Sequence, residues 1–420
     1  MRFRYTLLTA ALLVSPLTQA KNAADLPQVA ATANETTAAG SSTAFVELEN
    51  QAHSSLINAL KGESSTLTRS QLESAGQGKA LADKAWLKST GYDFAKKEQQ
   101  QAGIALLETF SHLPKNTLQQ NLATVESINL NATSGLRQQA LVDAEGQNYL
   151  FFLADALGPR LGQAFIRAYN NGELNKAAAL IKASEVSTSE AKKHFGYPRP
   201  FLIPANTIHL VPDSAVVKDN HPYSADGGAF PSGHTNAGYT DALLMAEMVP
   251  ERFVPLVDRG ARYGYSRVVL GVHYPLDVMG SRMVAQRNVA HYLNDPQYRA
   301  LFETAKQQLR TALEKECGMS LSACAKVPLK DDPYAAASMQ TFYRFTMTYN
   351  LPGERVAPSP VQVPQGAEVL LEAPLPHLST AQRRQLMVKT ALAGGYPLSG
   401  SADQSFWQRL NLHDAVAAAH

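Results

Sequence analysis

Residues 264–277 read Gly264-Tyr265-Ser266-Arg267-Val268-Val269-Leu270-Gly271-Val272-His273-Tyr274-Pro275-Leu276-Asp277. The stretch joins two helical signals. One helix opens near Glu251, after the stop at Pro250, and its periodicity runs through Val257 and Ala261 to about Tyr265. The next starts at Pro275, where a missing N–H costs nothing in the first turn, and can bury Val278, Ala285 and Val289. Between them stand an arginine and a histidine. His273 and Asp277 are four apart, a spacing that shares one face of a helix. A carboxylate there accepts the N–H of one ring nitrogen, which fixes the tautomer and leaves the other nitrogen as a nucleophile.

Moving upstream, Pro231-Ser232-Gly233-His234 forms a turn before a further helix, with Ala237, Leu244 and Met248 on one side. Backbone N–H groups at such a turn point at an anion, and the helix dipole adds to the attraction. Gly233 lets the anion come close, and His234 falls in the first helical turn. Earlier still, Lys192 is followed after six residues by Arg199-Pro200. Lys192, Arg199 and Arg267 therefore flank two histidines. A transferring phosphoryl group spreads its charge over three oxygens, and arginine's planar fork matches that geometry. The segment 203–230, with Pro204, Pro212, Pro222, Gly227 and Gly228, reads as a long functional loop.

Farther out, Tyr149 to Leu157 is apolar and leads into a helix with Leu161, Phe165 and Ile166 buried. Asn170-Asn171-Gly172 breaks it, and Leu174 to Lys182 begins another. Alternating runs long enough for a central sheet are missing, so the fold class is mainly α. We expect a signal peptide over 1–20, a disordered linker over 21–44, a helical extension over 45–140, a catalytic domain over 141–300 and a C-terminal extension over 301–420. The linker is rich in Ala, Thr, Ser and Asn. The 45–140 stretch is polar, with leucines at helical intervals. Within the last segment, 325–375 reads as irregular, with short strands over 361–363 and 368–371, and Ser379 is set to cap a final helix.

Composition narrows the classes of function. The 420 residues are 45% hydrophobic and 18% charged, a globular balance. Arg2 and Arg4 precede an apolar run from Tyr5 to Leu17 and small residues to Ala20, the pattern of a secretory signal. Losing those two arginines takes the net charge from +2 to 0, leaving no global field to steer the chain onto nucleic acid or anionic lipid. Later segments hold no apolar run of about 18 residues, so no stable membrane insertion is expected. The spacing of Cys317 and Cys324 suits a small disulfide loop in an oxidising compartment, with two unpaired thiols as the alternative.

The order Lys192-x6-Arg199-Pro200, Pro231-Ser232-Gly233-His234, Ser266-Arg267-x5-His273-x3-Asp277 resembles the signature of the type 2 phosphatidic acid phosphatase superfamily. Within it the chain is most similar to bacterial class A non-specific acid phosphatases, and it shares the pattern with vanadium haloperoxidases. The likeness covers about residues 145–300, and the tail Trp407-Gln408-Arg409-Leu410-Asn411-Leu412 is similar to tails of longer members. The resemblance implies the helical core of that acid phosphatase and haloperoxidase type. It implies that His273 becomes phosphorylated, that Asp277 orients it and that His234 protonates the leaving oxygen and then assists water. Lys192, Arg199, Ser232, Gly233 and Arg267 would hold the phosphoryl oxygens without a metal or other cofactor, and vanadate would bind as a phosphate mimic. A protonated His234 at the start of turnover implies an acid optimum. Small phosphate esters are the expected partners, in a bacterial periplasm, with a homo-oligomer left open. The alternatives are a lipid phosphate or pyrophosphate phosphatase, a vanadate-dependent haloperoxidase, and a binding protein with an inactive pocket.

Overall fold

A computed structural model describes residues 23–35, 82–145, 149–209, 211, 213, 217–218, 221–222, 228–353 and 360–419. The signal expected over 1–20 lies outside them, as do residues 45–81 of the N-terminal extension.

Three consecutive helices make the centre: the cradle helix Gly233–Met248, the arginine helix Phe253–Val269 and the aspartate helix Pro275–Asn294. The aspartate helix carries Leu276, Val278, Met283, Val284 and Val289 around its circumference, and all are buried. A helix clothed on every side is a core helix. The three close on one another at Gly264. A Cβ there would come within 2.8 Å of Val278 Cγ1 and 3.0 Å of Thr235 Cγ2, so any larger residue would pry the helices apart. Pro250 ends the cradle helix as expected, and the break at 170–172 separates helices Pro159–Asn170 and Asn175–Ser184. Both of these lie against the long helix Pro296–Cys317, which Asp295 caps and which ends in left-handed Gly318.

The flanks wrap this centre. Helix Lys115–Asn131 touches the arginine and aspartate helices, and Ser134–Glu145 lies along the arginine helix. From the other end of the chain, Ala402–Arg409 packs on the aspartate helix and Leu412–Ala417 on the arginine helix. Buried Arg282 donates to the carbonyls of Gln408 (2.7 Å) and Leu410 (3.1 Å), so the tail noted in the sequence is gripped by the core. Cys317 and Cys324 are bridged, with a Cα–Cα distance of 6.2 Å. The molecule is mainly α. The described strand pairing is one short ladder, Val217–Lys218 against His221–Pro222.

Four expectations need correction. Where a disordered linker was expected over 21–44, Leu26–Glu35 is a helix burying Val29, Thr32 and Ala33. Its small residues conceal an i, i+3, i+4 stripe that packs on helix Ala337–Thr346. The strand expected over 368–371 is a 3-10 turn, Ala367–Leu371, and residues 361–363 are not in a strand. Val369, Leu370 and Leu371 are apolar enough for a strand, but they are buried in a turn that packs on the aspartate helix, with no strand to pair with among the described residues, while Val361 and Val363 are only half-buried. The C-terminal extension is more helical than its proline and valine content suggests. Ser379 caps Thr380–Thr390 as read, but two more helices follow. Finally, the arginine helix continues past Tyr265 to Val269, carrying Ser266 and Arg267 in its last turn.

Candidate active site

His273 lies in the connector before the aspartate helix, not on the helix itself. The shared helical face inferred from its spacing to Asp277 is therefore not how the two meet. Pro275 takes the first helical position, and Asp277 folds back from the first turn. Its Oδ2 accepts from the backbone N–H of Tyr274 at 2.9 Å and from His273 Nδ1 at 2.9 Å. One carboxylate oxygen thus caps the helix and orients the ring. Gly271, at φ +75°, makes the turn that brings His273 round; a side chain there would strike Ile208.

The other ring nitrogen settles the tautomer. Arg199 Nη1 stands 2.7 Å from His273 Nε2 and also donates to the carbonyl of Val272 at 2.9 Å. A guanidinium can only donate, so Nε2 must accept. The ring proton then sits on Nδ1, facing Asp277, and the Nε2 lone pair faces the cations. His273 is buried, and its basicity falls well below the usual histidine range. Burial is the first cause, followed by the positive charges of Arg199, Lys192 and Arg267 and by His234. Burial likewise pushes the Asp277 carboxyl up to about 7, against the pull of the Tyr274 N–H, Lys192 and Arg199. The result is a neutral, oriented imidazole among cations.

Lys192 donates to the carbonyls of Gly228 (2.7 Å) and Ala229 (3.2 Å), which turn its ammonium into the same region. Burial lowers it to about 7, helped by repulsion from Arg199 and Arg267 and opposed by Asp277. Arg267 is wholly buried and gives Nη2 to Asp213 Oδ2 at 2.8 Å. Its Nε and Nη1 have no hydrogen-bond partner among the described residues. Ser232 is the N-cap of the cradle helix, accepting from Thr235 N at 3.2 Å and Thr235 Oγ1 at 2.9 Å, so its own hydroxyl proton is still available to donate. Its backbone is tied to the aspartate helix by Ser232 N, which donates to Asp277 O at 3.2 Å. Gly233 follows in the first turn. His234, half-buried, bonds through Nε2 to the carbonyl of Ala144 at 3.2 Å, and a carbonyl only accepts, so that nitrogen carries a proton.

An arginine donor and an aspartate acceptor thus hold one histidine, with Lys192, Arg267 and a helix N-terminus beside it. Residues 174–299 match the PAP2 superfamily. Over 126 residues the chain is 31% identical to a non-specific acid phosphatase of Providencia stuartii, covering 30% of this chain and 48% of that protein. Over 122 residues it is 31% identical to an acid phosphatase of Zymomonas mobilis, covering 29% and 44%. Over 88 residues it is 38% identical to the undecaprenyl-diphosphatase BcrC of Bacillus subtilis, covering 21% and 39%. The chain spans about half the length of the acid phosphatases it matches. All the site residues named from the sequence fall inside the PAP2 match, and every polar contact just described from Lys192 to Asp277 joins them to one another or to their immediate supports.

Several supports of the PAP2 region were not legible beforehand. Asn129 is wholly buried in helix Lys115–Asn131 and bonds Val269 O (2.8 Å), His209 O (2.9 Å) and His209 N (2.6 Å), clamping the turn before His273 to the long loop. Asn121 on the same helix accepts from Leu276 N at 3.1 Å. The available signal was Asn121, Val125, Ile128 and Asn129 at helical spacing, a core-like face with polar members. Ser266, a fixed residue of the signature, does not face the cradle: its Oγ donates to Asp143 at 2.6 Å. Of the aromatics beside the motifs, Phe230 stacks on Phe110 at 3.8 Å and Tyr197 packs on Tyr274 at 4.8 Å, which makes them packing groups. His194 bonds Glu108, His291 bonds Gln99, and His209 is exposed; the side chain of His221 lies outside the described residues. Among the described residues, no three His, Cys, Asp or Glu side chains group at metal-binding geometry, and no helix is long and apolar enough to cross a membrane.

Proposed function

We propose that this chain is an acid phosphatase that hydrolyses phosphate monoesters to an alcohol and inorganic phosphate through a phosphohistidine on His273. The observation that carries the reading is the double hold on His273: Asp277 accepts a hydrogen bond from Nδ1–H, and Arg199 faces the Nε2 lone pair. The acid phosphatase names of the relatives support the same reaction class.

In the first step Nε2 attacks phosphorus and the P–O bond to the leaving group breaks. That oxygen takes a proton from His234, and the alcohol departs. Charge on the three phosphoryl oxygens is met by Lys192, Arg199, Arg267, the Ser232 hydroxyl and the Gly233 N–H, and Arg199 turns from Nε2 to the phosphoryl group as it docks. Asp277 balances the positive charge that grows on the ring. In the second step water attacks the phosphohistidine, His234 accepts its proton, the P–N bond breaks, and inorganic phosphate leaves with His273 restored. These protein cations do the work a metal would otherwise do, so the reading expects turnover to survive a chelator, and vanadate to inhibit as a phosphate mimic. The leader-like first twenty residues and the disulfide support secretion into an oxidising space such as a periplasm.

The test is His273→Ala. Hydrolysis of a chromogenic phosphate ester should fall about 10⁴-fold or more, as for loss of other covalent nucleophiles. Wild type denatured in alkali, where the P–N bond survives, should carry phosphate on a histidine. Retained turnover in the variant refutes the mechanism. The match to an undecaprenyl-diphosphatase favours a second reading, action on a lipid pyrophosphate. Higher kcat/KM on a polyprenyl pyrophosphate than on small monoesters would select it.

A further inference from the structure

Asp213 lies on the connecting segment between Pro200 and Pro231, and Arg267 lies on the last turn of the arginine helix. Fifty-four positions separate them, yet both are wholly buried and paired at 2.8 Å. The pair uses one guanidinium nitrogen. Nε and Nη1, equally buried, lack a partner among the described residues. A buried donor left unsatisfied is costly, the more so on a charged group, so such a group is explained best by a ligand it awaits. The carbonyl of Arg267 accepts from the N–H of Val272, the residue before His273, at 3.4 Å, and the charge of Arg267 acts on both His273 and Lys192.

We propose that Asp213 is a positioning residue for phosphoryl binding: it fixes Arg267 through Nη2 so that Nε and Nη1 are held ready for the oxyanion, and so ties the connecting segment to the site. An arginine free to change rotamer would lose that freedom on every turnover, whereas one already clamped contributes its donors without reorganisation. The carboxylate also offsets a charge that would otherwise be buried alone before substrate arrives. The chemistry rests on the phosphatase reading, but the test does not, because anion affinity is measured without turnover.

Asp213→Ala removes both acceptor and charge; Asp213→Asn keeps an acceptor oxygen. Calorimetric Kd values for orthovanadate and for sulfate, and kcat/KM on a chromogenic ester, are compared in folded protein checked by circular dichroism. In Asp213→Ala the Kd for vanadate, which reaches the geometry of the transition state, should rise about 10²-fold and that for sulfate about tenfold, with kcat falling more than KM rises. Asp213→Asn should stay within about threefold of wild type on every measure. If Asp213→Ala does not fold, Asp213→Ser, too short to reach the guanidinium, replaces it. Wild-type vanadate affinity in the folded Ala or Ser variant overturns the proposal, and so does an Asn variant as weak as Ala. A wild-type chain that binds vanadate but hydrolyses no ester sinks only the phosphatase reading, and the affinities still decide the role of Asp213.

Discussion

Arg259 and Arg262 stand at the middle of the arginine helix and Arg267 at its end, and all three are at most 3% exposed. Arg259 donates to Phe152 O, Asp155 and both oxygens of Asp143. Arg262 donates to Ala33 O, Asp143 and Gln139. Every nitrogen of these two is used. Arg267 uses one, with Asp213. The same residue type, on the same helix and equally buried, therefore serves two ends. Where the guanidinium is saturated by protein, it fastens flanking segments to the core. Where it is left under-saturated, it keeps the donors that the proposed phosphoryl site requires. Burial alone separates nothing here; the count of satisfied donors does.

The contrast can be broken at either end. The largest stability effect is expected at Asp143, which gathers Arg259, Arg262 and Ser266. Asp143→Ala leaves two buried guanidinium groups short of an acceptor and should cost about 3–5 kcal/mol. It should lower the denaturant midpoint while the folded fraction keeps kcat/KM within about tenfold of wild type. An unchanged midpoint would dissolve the structural half of the comparison.

Arg267→Lys is the reciprocal experiment. The charge and a bond to Asp213 persist, but the fork is lost. We expect kcat/KM to fall about 10²–10³-fold, equivalent to about 2.7–4 kcal/mol of transition-state stabilisation, with unfolding free energy moving less than about 1 kcal/mol. A variant that loses stability rather than turnover would make Arg267 one more structural arginine.

The smallest effect sharpens the electrostatics of the cradle. Lys192 is lowered to about 7, so its ammonium is charged below that pH and neutral above it. Sulfate keeps a constant charge over this range. Its affinity should fall about tenfold from pH 6 to pH 8, following the charged fraction of the lysine. In Lys192→Arg, charged throughout, the lysine's share of that slope should vanish and leave the part that Asp277 adds as its carboxyl ionises near the same pH. A flat wild-type profile in titration calorimetry would remove Lys192 from the anion site.

A second contrast concerns what could be read in advance. His273, Asp277, Arg199, Lys192 and the Ser232-Gly233-His234 turn were named from spacing, because their types and intervals are local. The pairing of His273 with Asp277 was foreseen, but through a helical face that does not exist; the contact comes from a capping carboxylate turning back on the connector. The flanks were the poorest read. Leu26–Glu35 looked too small and polar to bury, and the valine-rich tail looked extended, since a short apolar segment takes its form from whatever covers it. His413 carried no signal at all, yet it is buried and bonded to Asp258 at 2.7 Å.

By itself, then, the order of residues determined a helical chain and the set of groups able to meet a phosphoryl anion. Helical period and motif spacing operate within a few residues, and so they survive in one dimension. Only the tertiary structure decided which arginine has every donor satisfied by protein and which keeps donors without a partner among the described residues. That choice depends on acceptors far along the chain, such as Asp213, 54 positions from Arg267, and Ala33, 229 positions from Arg262. A donor's satisfaction is a property of its surroundings in space, and no local pattern records it.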